Sequence, residues 1–170
     1  MYRIGSVSLI VGSIAFFIFA LLRPIPTGDI VDNGAKALQE VVDSGDLWVF
    51  WEIAVMFSFL PILIGLWALY RSMADQSGSA WSQLAFVASV VGTAAFVVLV
   101  GFDGFGIKWV ADAWASAPPE EKATALRMAQ ALEAANLGLF GLVVAIFFGI
   151  ATLLYGLAIW QSGIYSKWLG

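Results

Sequence analysis

Residues 98–114 read VLVGFDGFGIKWVADAW, and the reading of this stretch decides the fold. It begins as the end of a membrane helix, places Asp103 where lipid should stop, and keeps its apolar residues through Lys108 and Asp112. Crossing the hydrocarbon takes about 20 mostly apolar residues, and Trp81–Phe102 already supplies them. Asp103 is therefore expected at the membrane edge and not at the midplane. Three other stretches pass the same test: Ile4–Leu22, Leu47–Tyr70 and Leu137–Trp160. None alternates as a barrel strand does. The expectation is an all-α integral membrane four-helix bundle in a single domain. Its spans cover about 4–22, 47–70, 81–102 and 137–160, and residues 24–46 and 103–136 form acidic helical segments outside the membrane.

Composition agrees. The chain is 61% hydrophobic and 12% charged, with a mean hydropathy of +0.91; soluble domains average about 45–50% and about 25%. Arg3 ahead of an apolar run suggests a signal peptide. The run, however, is about 19 residues long, exceeding the usual apolar core of a signal, and ends in Leu-Leu-Arg-Pro without a small-x-small cleavage pattern. A retained span is expected. Cysteine is absent, which removes disulfides and thiolate metal sites. Histidine is absent too, which removes bis-His haem and the Glu-x-x-His di-iron motif. No metal-ligand cluster, catalytic triad or phosphate-binding glycine loop is present. The sequence names no cofactor, and an enzyme is not expected.

Four spans put both termini on one side, with Arg3, the turn Arg71–Ala80 and the tail carrying Lys167. The other side holds Arg23, Lys36, Lys108, Lys122 and Arg127, but also nearly all the acids, among them Asp29, Asp32, Glu40, Glu120, Glu121 and Glu133. Basic residues in very short segments orient spans most reliably, so both termini are expected to be cytoplasmic. The acidic outer face argues against nucleic acid as a partner. Tyr2, Trp67, Tyr70, Trp81, Trp160, Tyr165 and Trp168 are expected at one interface, and Trp48, Trp51, Trp109 and Trp114 at the other.

Spans 1 and 3 resemble each other at a constant offset, matching Val7/Val87, Val11/Val91, Gly12/Gly92, Ala15/Ala95 and Phe16/Phe96. The pattern suggests two parallel helix-hairpin repeats; chance similarity of apolar sequence is the alternative. Small residues mark close packing of helices in lipid. Ser6, Ser13 and Ala20 form such a stripe on span 1, Ala88 and Gly92 on span 3, and Ala145, Gly149, Gly156 and Gly163 on span 4. Pro61 is expected to kink span 2 near Phe57. The run after Pro118-Pro119 has strong helix formers and nothing to break it, so one helix of about 60 Å is expected from about Pro119 to Trp160. GAKALQEVVDSG predicts a shorter amphipathic helix with Leu38, Val41 and Val42 on its apolar side.

The charges at the edge of the membrane carry the functional question. Gly101, Gly104 and Gly106 loosen the helix around Asp103, and a carboxylate at a helix C-terminus opposes the dipole. Either the helix continues or a cation pairs with Asp103, and Arg23 holds the matching place after span 1. An Arg23–Asp103 pair is the leading expectation, with a proton-relay or cation-binding Asp103 as the alternative. Glu52 stands one turn into span 2, just after Trp48 and Trp51, and reads as an interfacial anchor. A contact with an ion or substrate is its alternative. Asn136, at the mouth of span 4, is placed to join Arg23, Glu52 and Asp103 in a polar cluster.

The tail SGIYSKWLG (162–170), after the GLAIW of span 4, resembles an S-G-x-Y-P-x-W-L-G motif of uncharacterised small multi-span membrane proteins of bacteria. GLWALYRS in span 2 and DGF at Asp103–Phe105 are similar as well. Ser166 stands where the motif has proline, and the further spans that commonly follow in those proteins have no counterpart within these 170 residues. The resemblance implies a bacterial or archaeal inner membrane and carries no activity. Two functions are open. The first is a non-catalytic accessory or scaffold subunit packing against other membrane proteins or itself, with lipid or an apolar cofactor held between. The second is a small transporter or ligand-binding bundle with its polar site at the outer mouth.

Overall fold

A computed structural model describes residues 2–24 and 30–166, and for Tyr2, Val31 and Asp32 the backbone alone. The expected anchors Lys167 and Trp168, the acid Asp29 and the end of the SGIYSKWLG stretch lie outside the described residues, as do the side chains of Tyr2 and Asp32. The described chain is helical: α1 (Tyr2–Leu22), α2 (Ile30–Ser44), α3 (Asp46–Ser72), α4 (Ser79–Ser116) and α5 (Lys122–Ser162). Four of them, all but α2, are long and apolar enough to cross a membrane.

Neither α4 nor α5 stops at the membrane edge. α4 passes through a π-helical turn at Gly101–Gly106, where the Ile107 N–H bonds to the Phe102 carbonyl five residues back, and continues to Ser116. α5 starts at Lys122, after the turn that follows the two prolines, and runs 41 residues with a second π turn at Val144–Ala151. Pro61 does not interrupt α3. Among the described helices the departure from helical dihedrals falls instead in α2, at Asn33 (φ −132°, ψ 44°).

Three core clusters follow from this geometry among the described residues. At one end of the bundle, α2 lays Ala37, Leu38 and Val41, all at 0% exposure, against Ile107, Val110 and Ala111 of α4 and Ala129 of α5. The spacing that predicts an amphipathic α2 thus finds two helix extensions to bury it. Within the membrane, Phe59 of α3 stacks on Phe96 of α4 (centroids 4.1 Å apart). It also touches Phe147 of α5 at 5.1 Å and meets Phe16 of α1 edge-on at 5.2 Å. At the other end, the Tyr155 hydroxyl donates to the Leu66 carbonyl at 2.9 Å, tying α5 to α3.

Backbones approach closely where glycine permits it. A Cβ on Gly12 would lie 2.7 Å from the Ile62 nitrogen, and one on Gly92 would lie 2.7 Å from Phe147 Cβ. These two glycines, matched at constant offset in the sequence, do the same work in the α1–α3 and α4–α5 hairpins. Gly5 and Gly65 add to the first of these contacts, against Ala68 and Leu9. The stripe expected on span 1 is therefore shifted: Gly5 and Gly12 are buried, Ser13 and Ala88 are half-buried and Ser6 is exposed. On span 4 the expectation is corrected more fully. Gly149 is exposed with only its own helix's Val144 carbonyl nearby, Ala145 and Gly163 are exposed, and Gly156 is half-buried. The inward face is Val143, Phe147, Ala151, Tyr155, Ala158 and Ser162.

The spans pack in series: α1 on α3, α3 on α4, α4 on α5. Among the described residues α1 and α5 make no extensive contact with each other. The bundle has an open seam.

Candidate functional site

The seam holds a cleft of about 390 Å³. Phe16 and Ala20 of α1 form one wall and Leu137 and Phe140 of α5 the other, with Val55 and Phe96 also lining it. This volume lies in the range of about 300–1,000 Å³ typical of small-molecule sites, as does the mostly apolar lining. At one end the lining changes to Arg23, Glu52, Asp103, Glu133 and Asn136. The four polar residues singled out in the sequence meet here, joined by Glu133.

Each is delivered by a distinct element. Arg23 follows the last turn of α1, its N–H bonded to the Phe19 carbonyl at 3.0 Å. Its Nη2 lies 2.8 Å from Asp103 Oδ2, and its Nε lies 2.8 Å from Glu52 Oε1. The second contact is close but out of line, and neither Nε nor Oε1 completes a hydrogen bond through it. One guanidinium thus bridges α1, α3 and α4. Asp103 sits in the π turn of α4, where the local widening sets its side chain toward Arg23. Asn136 of α5 hydrogen-bonds to Asp103 through its side chain, while its own Oδ1 has no hydrogen-bond partner among the described residues.

Gly104 makes room for Glu52: a Cβ there would come within 2.9 Å of Glu52 Cβ and 3.2 Å of Cγ. The glycines around Asp103 loosen the helix as expected, and one of them does so for a neighbour's benefit.

Two readings are corrected here. Glu52 does not reach toward an interface as an anchor; it is 2% exposed and faces Arg23. Trp48 is no interfacial belt residue either. It is 3% exposed, donates its indole N–H to the Asp103 carbonyl at 3.0 Å, and lies beneath the Arg23 guanidinium at 5.5 Å. Trp109, by contrast, is 67% exposed, and Trp67 and Trp160 are exposed as well, as belt residues would be. Glu133, which the sequence reading did not single out as part of a site, lies one turn N-terminal to Asn136 on the unbroken α5 and joins the lining with it.

Among the described residues no group of three acids is placed to hold a metal ion. Lys108, outside the site, pairs with Asp112 at 2.5 Å on the exposed flank of α4.

The chain's residues 4–170 match the family model described as a domain of unknown function (DUF4386). That finding agrees with a likeness to an uncharacterised family and does not bear on the S-G-x-Y-P-x-W-L-G motif itself. No curated protein and no solved structure matches the chain.

Proposed function

Because the chain belongs to the DUF4386 family, which brings no activity with it, we propose from the geometry that it is a non-catalytic membrane protein that binds an amphipathic molecule drawn from the bilayer. The observation that carries this reading is the cleft between α1 and α5, apolar along its walls and charged at one end. A ligand entering sideways would keep its tail against Phe16 and Phe140 and bring its head to Arg23, Glu52, Asp103 and Asn136. Binding or slow release of such a molecule, with transport as the extension, needs no nucleophile and no metal. The scaffold reading rests on exposed apolar faces, which lipid covers equally well, so the geometry favours the ligand-binding one.

Cavity filling tests it. The protein extracted in mild detergent should carry bound amphiphile detectable by native mass spectrometry, and Ala20→Trp, placed in the wall of the cleft, should come out empty. Equal ligand content in the two proteins would sink the reading.

We propose further that the polar end faces the outer side of an inner membrane, with both termini cytoplasmic, because Arg3, Arg71 and Lys167 lie in very short segments, where basic residues orient spans most reliably. The chain has no cysteine of its own, so labelling is clean. A cysteine at Ser116 should react with an impermeant maleimide on intact cells, and one at Ser77 should react only after lysis. The reverse pattern overturns the orientation.

A further inference from the structure

The charged end of the cleft holds more acid than base, and we infer that the head it receives is a primary ammonium on an apolar tail; this rests on the cleft being the binding site proposed above. Among the described residues that line the cleft Arg23 is the one cation, and it faces two carboxylates, Glu52 and Asp103. Burying surplus charge among apolar side chains is costly unless a counter-charge arrives with the ligand.

Hydrogen bonding narrows the class. Asn136 is 6% exposed and lines the cleft, and its Oδ1 accepts no hydrogen bond from the described residues. Glu52 Oε1, beside Arg23 Nε, also lacks an aligned donor. Two buried acceptors therefore wait at the end of an apolar channel, and Arg23 Nε, 2.8 Å from the one on Glu52, is out of line. An ammonium brings three donors, no acceptor and the missing positive charge. A quaternary ammonium brings charge without a donor, and a hydroxyl brings a donor without charge. A carboxylate or phosphate brings neither and meets Glu52, Asp103 and Glu133.

An aminophospholipid carries the same ammonium but holds a phosphate close behind it, whereas a single-chain amine does not. The full chain in neutral maltoside micelles would be titrated with dodecylamine, lysophosphatidylethanolamine, dodecyltrimethylammonium, dodecanol and dodecanoate. Binding is read by thermal shift and competition, with Ala20→Trp as the background for micelle partitioning. Dodecylamine should bind about tenfold or more tightly than the quaternary amine or the alcohol, since a hydrogen bond to a charged group is worth about 1.5–3 kcal/mol. Lysophosphatidylethanolamine matching dodecylamine supports the inference and assigns the ammonium to a lipid headgroup; weaker binding supports it and assigns a free amine. Asn136→Leu should reduce the preference for primary over quaternary ammonium toward parity.

Dodecanol or dodecanoate binding as well as dodecylamine would overturn the inference and leave the ligand-binding reading standing. An unchanged preference in Asn136→Leu would overturn it too, and if that variant does not fold, the wild-type series decides. Failure of every compound to bind above the Ala20→Trp background overturns the underlying reading with it.

Discussion

Arg23→Gln is expected to lower the stability of the bundle by about 3–5 kcal/mol, the range for stripping one partner from a buried ion pair. Glutamine keeps a polar side chain but leaves Glu52, at 2% exposure, and Asp103 facing each other without their cation. Pairs that water reaches are worth only about 0–1 kcal/mol. The depth of Glu52 decides between the two figures, while Arg23, 29% exposed, holds the loss to the lower end. Asp103→Asn should cost less, because Glu52 keeps its ion. The double variant should lose less than the sum of the two, since the second change removes a charge that the first has already orphaned. Thermal or denaturant unfolding in one mild detergent measures all three. Strict additivity would show that Arg23 and Asp103 do not hold one another.

The second large effect belongs to glycine, and it separates two residues that look alike in the sequence. Gly92→Ala is expected to destabilise by about 1–3 kcal/mol, the usual cost of overpacking. The added methyl would lie 2.7 Å from Phe147 Cβ and 3.1 Å from both Phe147 Cα and N, so α4 and α5 have to separate. Gly12→Ala should behave alike against the Ile62 backbone, at 2.7 Å from its nitrogen. Gly149→Ala should be neutral or stabilise by up to about 1 kcal/mol, as the exposed site loses only backbone freedom. Melting temperatures of the three variants settle the order. A Gly149 effect as large as that of Gly92 would mean that its face is covered by another chain.

How far the sequence reaches is set by what each property depends on. Span number depends on the run of apolar residues along one dimension, so it was legible, and four of the described helices are long and apolar enough to cross a membrane. The meeting of Arg23 with Asp103 was legible because both occupy one offset in two similar hairpins. Which face of α5 points inward was not. Glycine is compatible both with tight contact and with lipid, and lipid exerts no hydrophobic force to separate the two. Trp48 and Glu52 were misplaced for a related reason. An indole at a membrane edge suits an anchor or a buried donor equally, and its acceptor, the Asp103 carbonyl, stands 55 residues away.

The π turn at Val144–Ala151 has a consequence for how relatives of this chain are compared. An α-helix repeats every 3.6 residues, so one residue corresponds to about 100° of rotation. The inward residues from Val143 to Tyr155 instead recur every four positions. A wide turn thus re-phases everything N-terminal to it, Asn136 included. A homologue one residue shorter in this segment would align with this chain at nearly every apolar position. Its counterpart of Asn136 would nonetheless be carried by a helix rotated about a quarter-turn from the seam. Likeness along span 4 therefore does not transmit the site; equal spacing between Asn136 and Tyr155 does.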